Sequence, residues 1–335
     1  MLKHNNNNGN LIRNRDPYFD NIKAILIFLV VLSHFTSYAE FSYYAMHVRL
    51  FTFIFLMPAF IFVSGLFFKR SEPQKAYVRS IAFFILYIFA KAITWALRAI
   101  IYHSTDFSLF NTGGVEWFLF AMAVWSLITP VTRFVDSKLL LLTTFGLALI
   151  VGYDQSINSY FVLSRIIVYW PIFIMGTIID RKKFAAIIDK TWIKVISAIV
   201  VISSFLVILM FYDNVVIIKS LLSGQQPYEI LEQYKNYGCV MRMAVIIISG
   251  ILGFCIISLI PRKKYFFTYI GERSLAVYFY DIPVCVLTVF AFSELHLWQY
   301  FIASLVITFL FSTKTMYLPF KYLFEKVRIT QDKTE

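Results

Sequence analysis

Charged side chains are scarce in this 335-residue sequence, because aspartate, glutamate, lysine and arginine together make up only 15% of it. A soluble domain carries about a quarter, so this chain lacks the charge needed to cover a surface that faces water. In its place 59% of the residues are hydrophobic, and the mean hydropathy is +0.71. The shortage of charge excludes an ordinary soluble protein and indicates a membrane protein.

Other signatures are missing as well. The three cysteines, Cys239, Cys255 and Cys285, are an odd number without metal-ligand spacing, so neither a disulfide framework nor a metal site is indicated. The alternating strands of a membrane barrel are absent, and so are the GxSxG, HExxH and glycine-rich phosphate motifs. No internal repeat supports an inverted-repeat transporter. We expect no bound cofactor and no metal.

Long apolar runs separated by short charged clusters predict an all-α polytopic membrane protein. Ten runs are candidate transmembrane helices, with both termini in the cytosol. The fifth and tenth are short, since a helix needs about 20 residues to cross the hydrocarbon. The runs are Ile22–Tyr38, Leu50–Phe68, Ile81–Tyr102, Val115–Phe134, Leu139–Tyr153, Phe161–Ile179, Val195–Tyr212, Met241–Ile260, Leu275–Phe292 and Leu297–Phe311.

The net charge of +12 is distributed as in a membrane protein rather than a nucleic-acid-binding protein. With the N-terminus inside, most of the 31 lysines and arginines fall in cytosolic loops, as the positive-inside rule requires. Without the fifth run as a span, the clusters DRKK and PRKK would lie outside the cell, against the positive-inside rule. The charge distribution therefore supports the fifth run as a span, although its length alone does not decide the question. We expect a multi-pass protein of the plasma membrane with no nucleic-acid partner.

The domain organisation is simple. Residues 1–20 are polar and low in complexity, which predicts a disordered cytosolic tail. Residues 21–325 are interpreted as one transmembrane domain and residues 326–335 as a second cytosolic tail. The longest external loop, about residues 213–240, contains SGQQPYEILEQYKNYG, which could form a short amphipathic helix over the outer face.

Ionisable side chains inside the spans are costly in lipid and usually face the bundle interior, where they serve a pathway or a site. Lys23 and His34 are eleven positions apart, so both project from one helix face, about 16 Å apart along the axis. His34 is the only histidine within a predicted span. The alternative is a snorkelling lysine and a histidine satisfied by a neighbouring hydroxyl.

Five segments in order carry a family resemblance. YFDNIKAILIFLVVLSHF has a basic residue, ten intervening residues and a histidine, and MPAFIFVSGLFFKR runs through phenylalanines into Ser-Gly. EWFLFAM, WPIFIMGTIIDRKK and IGERSLAVYFYDIP follow. In these segments the chain resembles the acyltransferase-3 family, membrane enzymes that O-acylate sugars. The lysine at position 23 is similar to the residue that the subgroup of fucose 4-O-acetyltransferases often has there. Leu56 and Asp281, however, stand where that subgroup often has histidine.

The resemblance implies an O-acetyltransferase that takes acetyl from acetyl-CoA in the cytosol and modifies a hydroxyl of a cell-surface polysaccharide or its precursor. His34 is expected to act as a general base or to carry the acyl group covalently, because an unperturbed imidazole titrates near neutrality. The acyl-CoA donor, the glycan acceptor and the lipid bilayer are the implied partners.

Donor binding is expected from Lys23, Arg70 and Arg79 at the cytosolic side. A guanidinium offers two hydrogen-bond donors to a phosphate, and the family associates basic residues of this loop with the donor. The alternative is that these residues only set the topology.

Acceptor binding is expected near Glu116, Trp117 and Asp281. Glu116 is a candidate catalytic residue that would orient His34 or hold an acceptor hydroxyl, and Trp117 would stack on a sugar ring or anchor at the membrane interface. Asp281 needs a polar partner, for which Lys91 and Arg98, seven positions apart on one helix face, are candidates.

Two other classes of function remain open from the sequence. A polysaccharide or lipid-linked glycan exporter is the main alternative, because intramembrane charges serve translocation equally well. A sensory or scaffold protein without catalysis is the third, and the polar residues inside the spans argue against it. Acetyl transfer that depends on acetyl-CoA would separate the first hypothesis from both alternatives.

Overall fold

The computed structural model describes residues 16–36, 43–103, 107–109, 114–157, 160–216, 218–291 and 296–332. Within these ranges the chain forms fifteen α-helices and three short 3-10 helices, with no strand. The α-helices are α1 (Pro17–Thr36), α2 (Tyr43–Leu66), α3 (Pro73–Tyr102), α4 (Trp117–Ile128), α5 (Ser137–Ile150), α6 (Leu163–Ile178), α7 (Arg181–Ile188), α8 (Thr191–Met210), α9 (Tyr212–Val216), α10 (Lys219–Leu222), α11 (Gly238–Leu259), α12 (Thr268–Glu272), α13 (Ser274–Ala291), α14 (Leu297–Phe311) and α15 (Lys314–Asp332).

Each of the ten predicted runs overlaps a different α-helix of the structure. In chain order these helices are α1 to α6, α8, α11, α13 and α14. Of the described helices, five are long and apolar enough to cross a membrane: α1, α2, α3, α8 and α11 with the 3-10 segment before it. Two bent pairs, α6 with α7 at 94° and α14 with α15 at 54°, raise the number to seven if each is one span. The all-α polytopic membrane class is confirmed. The count of ten and the cytosolic termini stay predictions.

Some helix boundaries differ from the prediction. α1 begins at Pro17, so residues 17–20 belong to the helix rather than to the tail, and α15 continues to Asp332, beyond the predicted domain end at 325. α4 ends at Ile128, earlier than predicted, because Pro130 has no N–H to extend the helical bonding. Tyr38, the predicted end of the first span, lies outside the described residues.

The observed start of α2 adds a second histidine to the candidate spans. α2 begins at Tyr43 rather than Leu50, and His47 therefore lies inside a candidate span. His47 is 1% exposed, its Nδ1 lies 2.6 Å from the Tyr43 carbonyl, and its ring packs on Tyr212. The expectation that His34 is the only histidine in a span is wrong.

α1 is the central helix. It packs against α2, α12, α13 and α14, and Ile22, Leu26 and Val31 are fully buried. At its first turn the Asn21 amide donates 2.8 Å bonds to the carbonyls of Pro261 and Lys263, which fixes the connection between α11 and α12. We call the end of the bundle where α1 begins the inner end and the opposite end the outer end.

The longest connection at the outer end differs from the single amphipathic helix considered for it. It contains α9, α10 and a 3-10 stretch, Tyr228–Tyr237, that is kinked at Glu232 with a positive φ of 50°. We call residues 212–216 and 218–237 the outer segment. Tyr228 anchors it, since this side chain is 1% exposed and its hydroxyl donates a 2.6 Å bond to the Leu149 carbonyl.

α2 and α6 cross in direct contact at two glycines. A Cβ on Gly65 would collide with the Phe173 carbonyl oxygen, and a Cβ on Gly176 would collide with the Phe62 carbonyl oxygen and with Gly65 itself. Small residues let helix backbones approach closely in membranes, where dispersion contacts drive helix association. The crossing holds the inner halves of both helices in place.

We expect Gly176→Ala to destabilise the protein by about 1–3 kcal/mol, because overpacking forces the two backbones apart. The thermal unfolding midpoint of the full-length protein in detergent measures the loss. Gly250→Ala in α11 is the matched control, since a Cβ there meets nothing within 4 Å, and it should be neutral or stabilising. Equal midpoints for the two variants would contradict the role of the crossing.

Candidate active site

A histidine and an aspartate from opposite ends of the chain meet inside the bundle. His34, in the last turn of α1, has its Nδ1 2.5 Å from Asp281 Oδ2 in α13. The Asp281 side chain is fully buried, and its Oδ1 has no hydrogen-bond partner among the described residues. A carboxylate only accepts hydrogen bonds, so Nδ1 carries the donated proton and Nε2 is the nitrogen left for proton transfer.

A second buried ion pair joins α3 to the start of α4. Lys91 Nζ lies 3.1 Å from Glu116 Oε1, and the two side chains are 11% and 3% exposed. Glu116 Oε2 is buried without a hydrogen-bond partner in the described ranges. The lysine balances the charge of the carboxylate but leaves one acceptor atom unused.

These pairings correct two expectations. Asp281 binds His34, so its expected pairing with Lys91 or Arg98 is wrong; Lys91 binds Glu116, and Arg98 is exposed. The expectation that Glu116 orients His34 is also wrong, because Asp281 holds the imidazole. Both errors have one cause: the partners lie on different helices, and sequence spacing does not encode how two helices are rotated relative to each other.

The two buried pairs lie in one region. Tyr278 is one turn before Asp281 on α13, and its hydroxyl donates to the Val115 carbonyl next to Glu116. Their depths agree as well, since His34 lies eleven positions beyond Lys23 and Lys91 twelve positions beyond Arg79. At 1.5 Å per residue, His34 lies about 16 Å along α1 from Lys23, and Lys91 about 18 Å along α3 from Arg79.

Trp117 lies beside Glu116 and is packed inside the bundle. It is 8% exposed, its ring stacks on Tyr169 at 5.7 Å, and Arg165 Cζ lies 4.8 Å from its ring centroid. This burial does not fit an anchor at the membrane interface, while stacking on a sugar stays a prediction. Sequence reasoning missed Arg165, whose signal was a basic residue at the outer edge of a span.

Three cations converge at the inner end around the turn after α2. Lys23 Nζ and Arg181 Cζ lie 5.2 and 5.1 Å from the Phe67 ring, and Arg79 Nη1 donates a 2.9 Å bond to the Phe67 carbonyl. We call Lys23, Arg79 and Arg181 the inner basic cluster. Lys23 Nζ also forms an ion pair with the buried Asp20, at 2.6 Å from its Oδ1, so one carboxylate lies beside the three cations. It brings together the ends of α1, α3 and α7. Arg181 was missed because DRKK was interpreted only as a topology signal.

Arg70 has a different environment from the cluster. Its guanidinium donates to the carbonyls of Thr132 at 3.1 Å and Val135 at 3.2 Å, and to Ser137 Oγ at 2.5 Å. These bonds hold the connection between α4 and α5, so its donor-binding role stays a prediction. In the same connection Asp136 caps α5, and bonds from the backbone N–H groups of Leu139 and Lys138 lower the pKa of its carboxyl group.

The described part of the chain holds no group of three histidine, cysteine or carboxylate side chains positioned for a metal ion. The ionisable groups described above instead form a cluster of three cations and Asp20 at the inner end and two pairs about 16–18 Å deeper. This arrangement can bind an anion at the surface and transfer a proton at depth.

Comparison with known families gives one match. The family model of the acyltransferase-3 domain matches residues 16–316, a range that includes both buried pairs and the inner basic cluster. No curated protein and no solved structure matches the chain significantly. The chain belongs to the acyltransferase-3 family and is a multi-pass membrane acyltransferase.

Proposed function

We propose that this acyltransferase is an O-acetyltransferase of the plasma membrane. It takes the acetyl group of acetyl-CoA at the cytosolic face and transfers it to a hydroxyl of a cell-surface polysaccharide or its precursor. The observation that carries the proposal is the His34–Asp281 pair, whose atoms lie 2.5 Å apart and whose aspartate is fully buried. The resemblance to fucose O-acetyltransferases supports acetyl as the acyl group.

In the proposed reaction His34 acts as the general base. The acceptor hydroxyl oxygen attacks the thioester carbonyl carbon while its proton passes to His34 Nε2. The resulting tetrahedral intermediate collapses, the carbon–sulfur bond breaks, and the departing CoA sulfur takes the proton from the imidazolium. Asp281 holds the ring and stabilises its charged form in between.

The donor would bind along the face shared by Lys23 and His34. The phosphates of CoA carry its negative charge, and the long pantetheine arm separates them from the thioester. Phosphates bound at the inner basic cluster would let the arm reach His34, about 16 Å deeper. Arg79 and Arg181 suit the phosphates because guanidinium groups form charge-assisted bonds with them.

The acceptor would enter from the outer end. The unused Glu116 Oε2 would accept a hydrogen bond from a sugar hydroxyl, while Lys91 holds the other carboxylate oxygen, Oε1, at 3.1 Å. Trp117 follows Glu116 directly and would contribute an apolar surface for the sugar ring.

Replacement of the dyad tests the proposal. We expect His34→Ala to lower kcat for acetyl transfer about 10²- to 10⁴-fold, because the hydroxyl loses its base. Asp281→Asn should lower kcat at least about 10-fold with little change in KM, because the asparagine cannot stabilise the imidazolium. Transfer of labelled acetyl from acetyl-CoA to the host glycan is the measurement.

His47→Ala is the matched control for this experiment, since His47 is a second buried histidine and has Tyr43 and Tyr212 as its neighbours. It should keep most of the transfer activity. Full transfer by a correctly inserted His34→Ala protein would refute the assignment. Glycan movement without any dependence on acetyl-CoA would favour the exporter alternative.

The inner basic cluster gives a second prediction. Arg79→Gln and Arg181→Gln should each raise KM for acetyl-CoA about 10-fold with a smaller effect on kcat, because a charge-assisted phosphate contact is lost. Lys321→Gln is the control, since Lys321 is an exposed cation near the same end. If all three variants share one KM, the cluster does not bind the donor.

A further inference from the structure

Arg165 carries a positive charge that is not neutralised by a carboxylate at ion-pair distance within the described residues. Its Nε donates to the Ser223 carbonyl at 3.2 Å and its Nη2 to Gln225 Oε1 at 2.8 Å, and both acceptors are uncharged. Its Nη1 is buried without a hydrogen-bond partner in the described part of the chain. A desolvated cation with a spare donor is strongly unfavourable until an anion approaches it.

A second arginine at the outer end has a similar set of contacts. Arg242 in α11 is fully buried, donates to the Gln226 carbonyl at 3.1 Å, and lies 4.4 Å from the centroid of the Tyr228 ring. Its partners are uncharged too. Because Glu116 and Asp281 already have Lys91 and His34 as partners, the two guanidinium groups leave surplus positive charge among these buried side chains.

Of the two arginines, Arg165 is the one that a ligand can reach. Arg242 is sealed, with no exposed surface, whereas Arg165 is partly exposed. Arg165 also lies over Trp117 and close enough to Glu116 to interact with it electrostatically. A molecule bound beside Glu116 would therefore lie next to the Arg165 guanidinium, and its approach would have to open access to the buried Nη1.

We propose that Arg165 binds a negatively charged group of the acceptor, so that the enzyme acylates an acidic glycan or a glycan phosphate rather than a neutral sugar. The inference rests on the proposed function and specifies its acceptor. A carboxylate and a phosphate each present two negatively charged oxygen atoms side by side. A guanidinium binds both groups by donating one hydrogen bond to each oxygen. Glu116 repels the same charge, so it fixes which end of the acceptor faces Arg165 and which hydroxyl faces the dyad.

The alternative is a purely structural role, in which Arg165 only fixes the outer segment to the bundle. Its two hydrogen bonds end on that segment, and Ser164 and Tyr169 also donate to the carbonyls of Gly224 and Leu222, at 2.7 and 2.6 Å. A purely structural arginine would affect stability equally with any ligand present. An anion subsite would instead make stability depend on the charge of the ligand.

The test measures thermal unfolding of the full-length protein in detergent, with CoA present to occupy the donor side. Three probes are compared at equal ionic strength: methyl glucoside, methyl glucuronide and glucose 1-phosphate. We expect at least one anionic sugar to raise the midpoint by about 2–4 °C and the neutral sugar to leave it unchanged. A response to the glucuronide identifies a carboxylate, and a response to the phosphate alone identifies a phosphate.

Arg165→Gln should abolish the increase, and Arg98→Gln, which removes an exposed arginine of α3, should keep it. The proposal is overturned if no anionic sugar exceeds methyl glucoside in the unaltered protein. It is equally overturned if an anionic sugar raises the midpoint of Arg165→Gln as much as that of the unaltered protein. This holds even if the variant has a lower midpoint without ligand, because a purely structural role of Arg165 would give that result. The His34→Ala protein should still show the increase, so failure of this subsite is separable from failure of the acetyl-transfer proposal.

Discussion

A carboxylate cannot remain ionised and unpaired in hydrocarbon, and Asp281 has no exposed surface at all. Its partner is His34, 247 positions away in the sequence, so the contact joins the first helix of the bundle to one of the last. α1 consequently lies at the centre, between α2, α13 and α14, and its apolar residues fill the core around the pair. The remaining charges at this depth follow the same constraint, since Lys91 and Glu116 also pair across two helices.

The depth of these pairs separates them from the cations at the inner end of the bundle. Helical rise places both pairs about 16–18 Å from the inner basic cluster, so the proposed anion binding and proton transfer would occur at separate levels. Close packing at the Gly65–Gly176 crossing and at Asn21 holds these levels in register. In a site with little water, a thioester at the deeper level would be protected from hydrolysis.

Local sequence predicted the helices well, because hydropathy and the spacing of charged clusters act within one segment. It also predicted that Lys23 and His34 share a face, which depends only on helical geometry. It failed for Asp281 and Glu116, because their partners depend on how distant helices rotate against one another. Arg165 and Arg181 were missed because a cation at the end of a span is also what the membrane itself requires, so composition alone could not separate the two roles.

The charge distribution explains how two anionic molecules would react inside an apolar bundle. In the proposed reaction CoA phosphates bind the inner basic cluster, and an acidic group of the acceptor binds Arg165 at the outer end. Between them Lys91 pairs with Glu116, and His34 contacts Asp281. Only a thioester and a hydroxyl, both uncharged, need to enter the region of lowest polarity, where an ion would be most costly. In this proposal the positive ends would keep the substrate charges apart, and the central dyad would carry the single proton that must move.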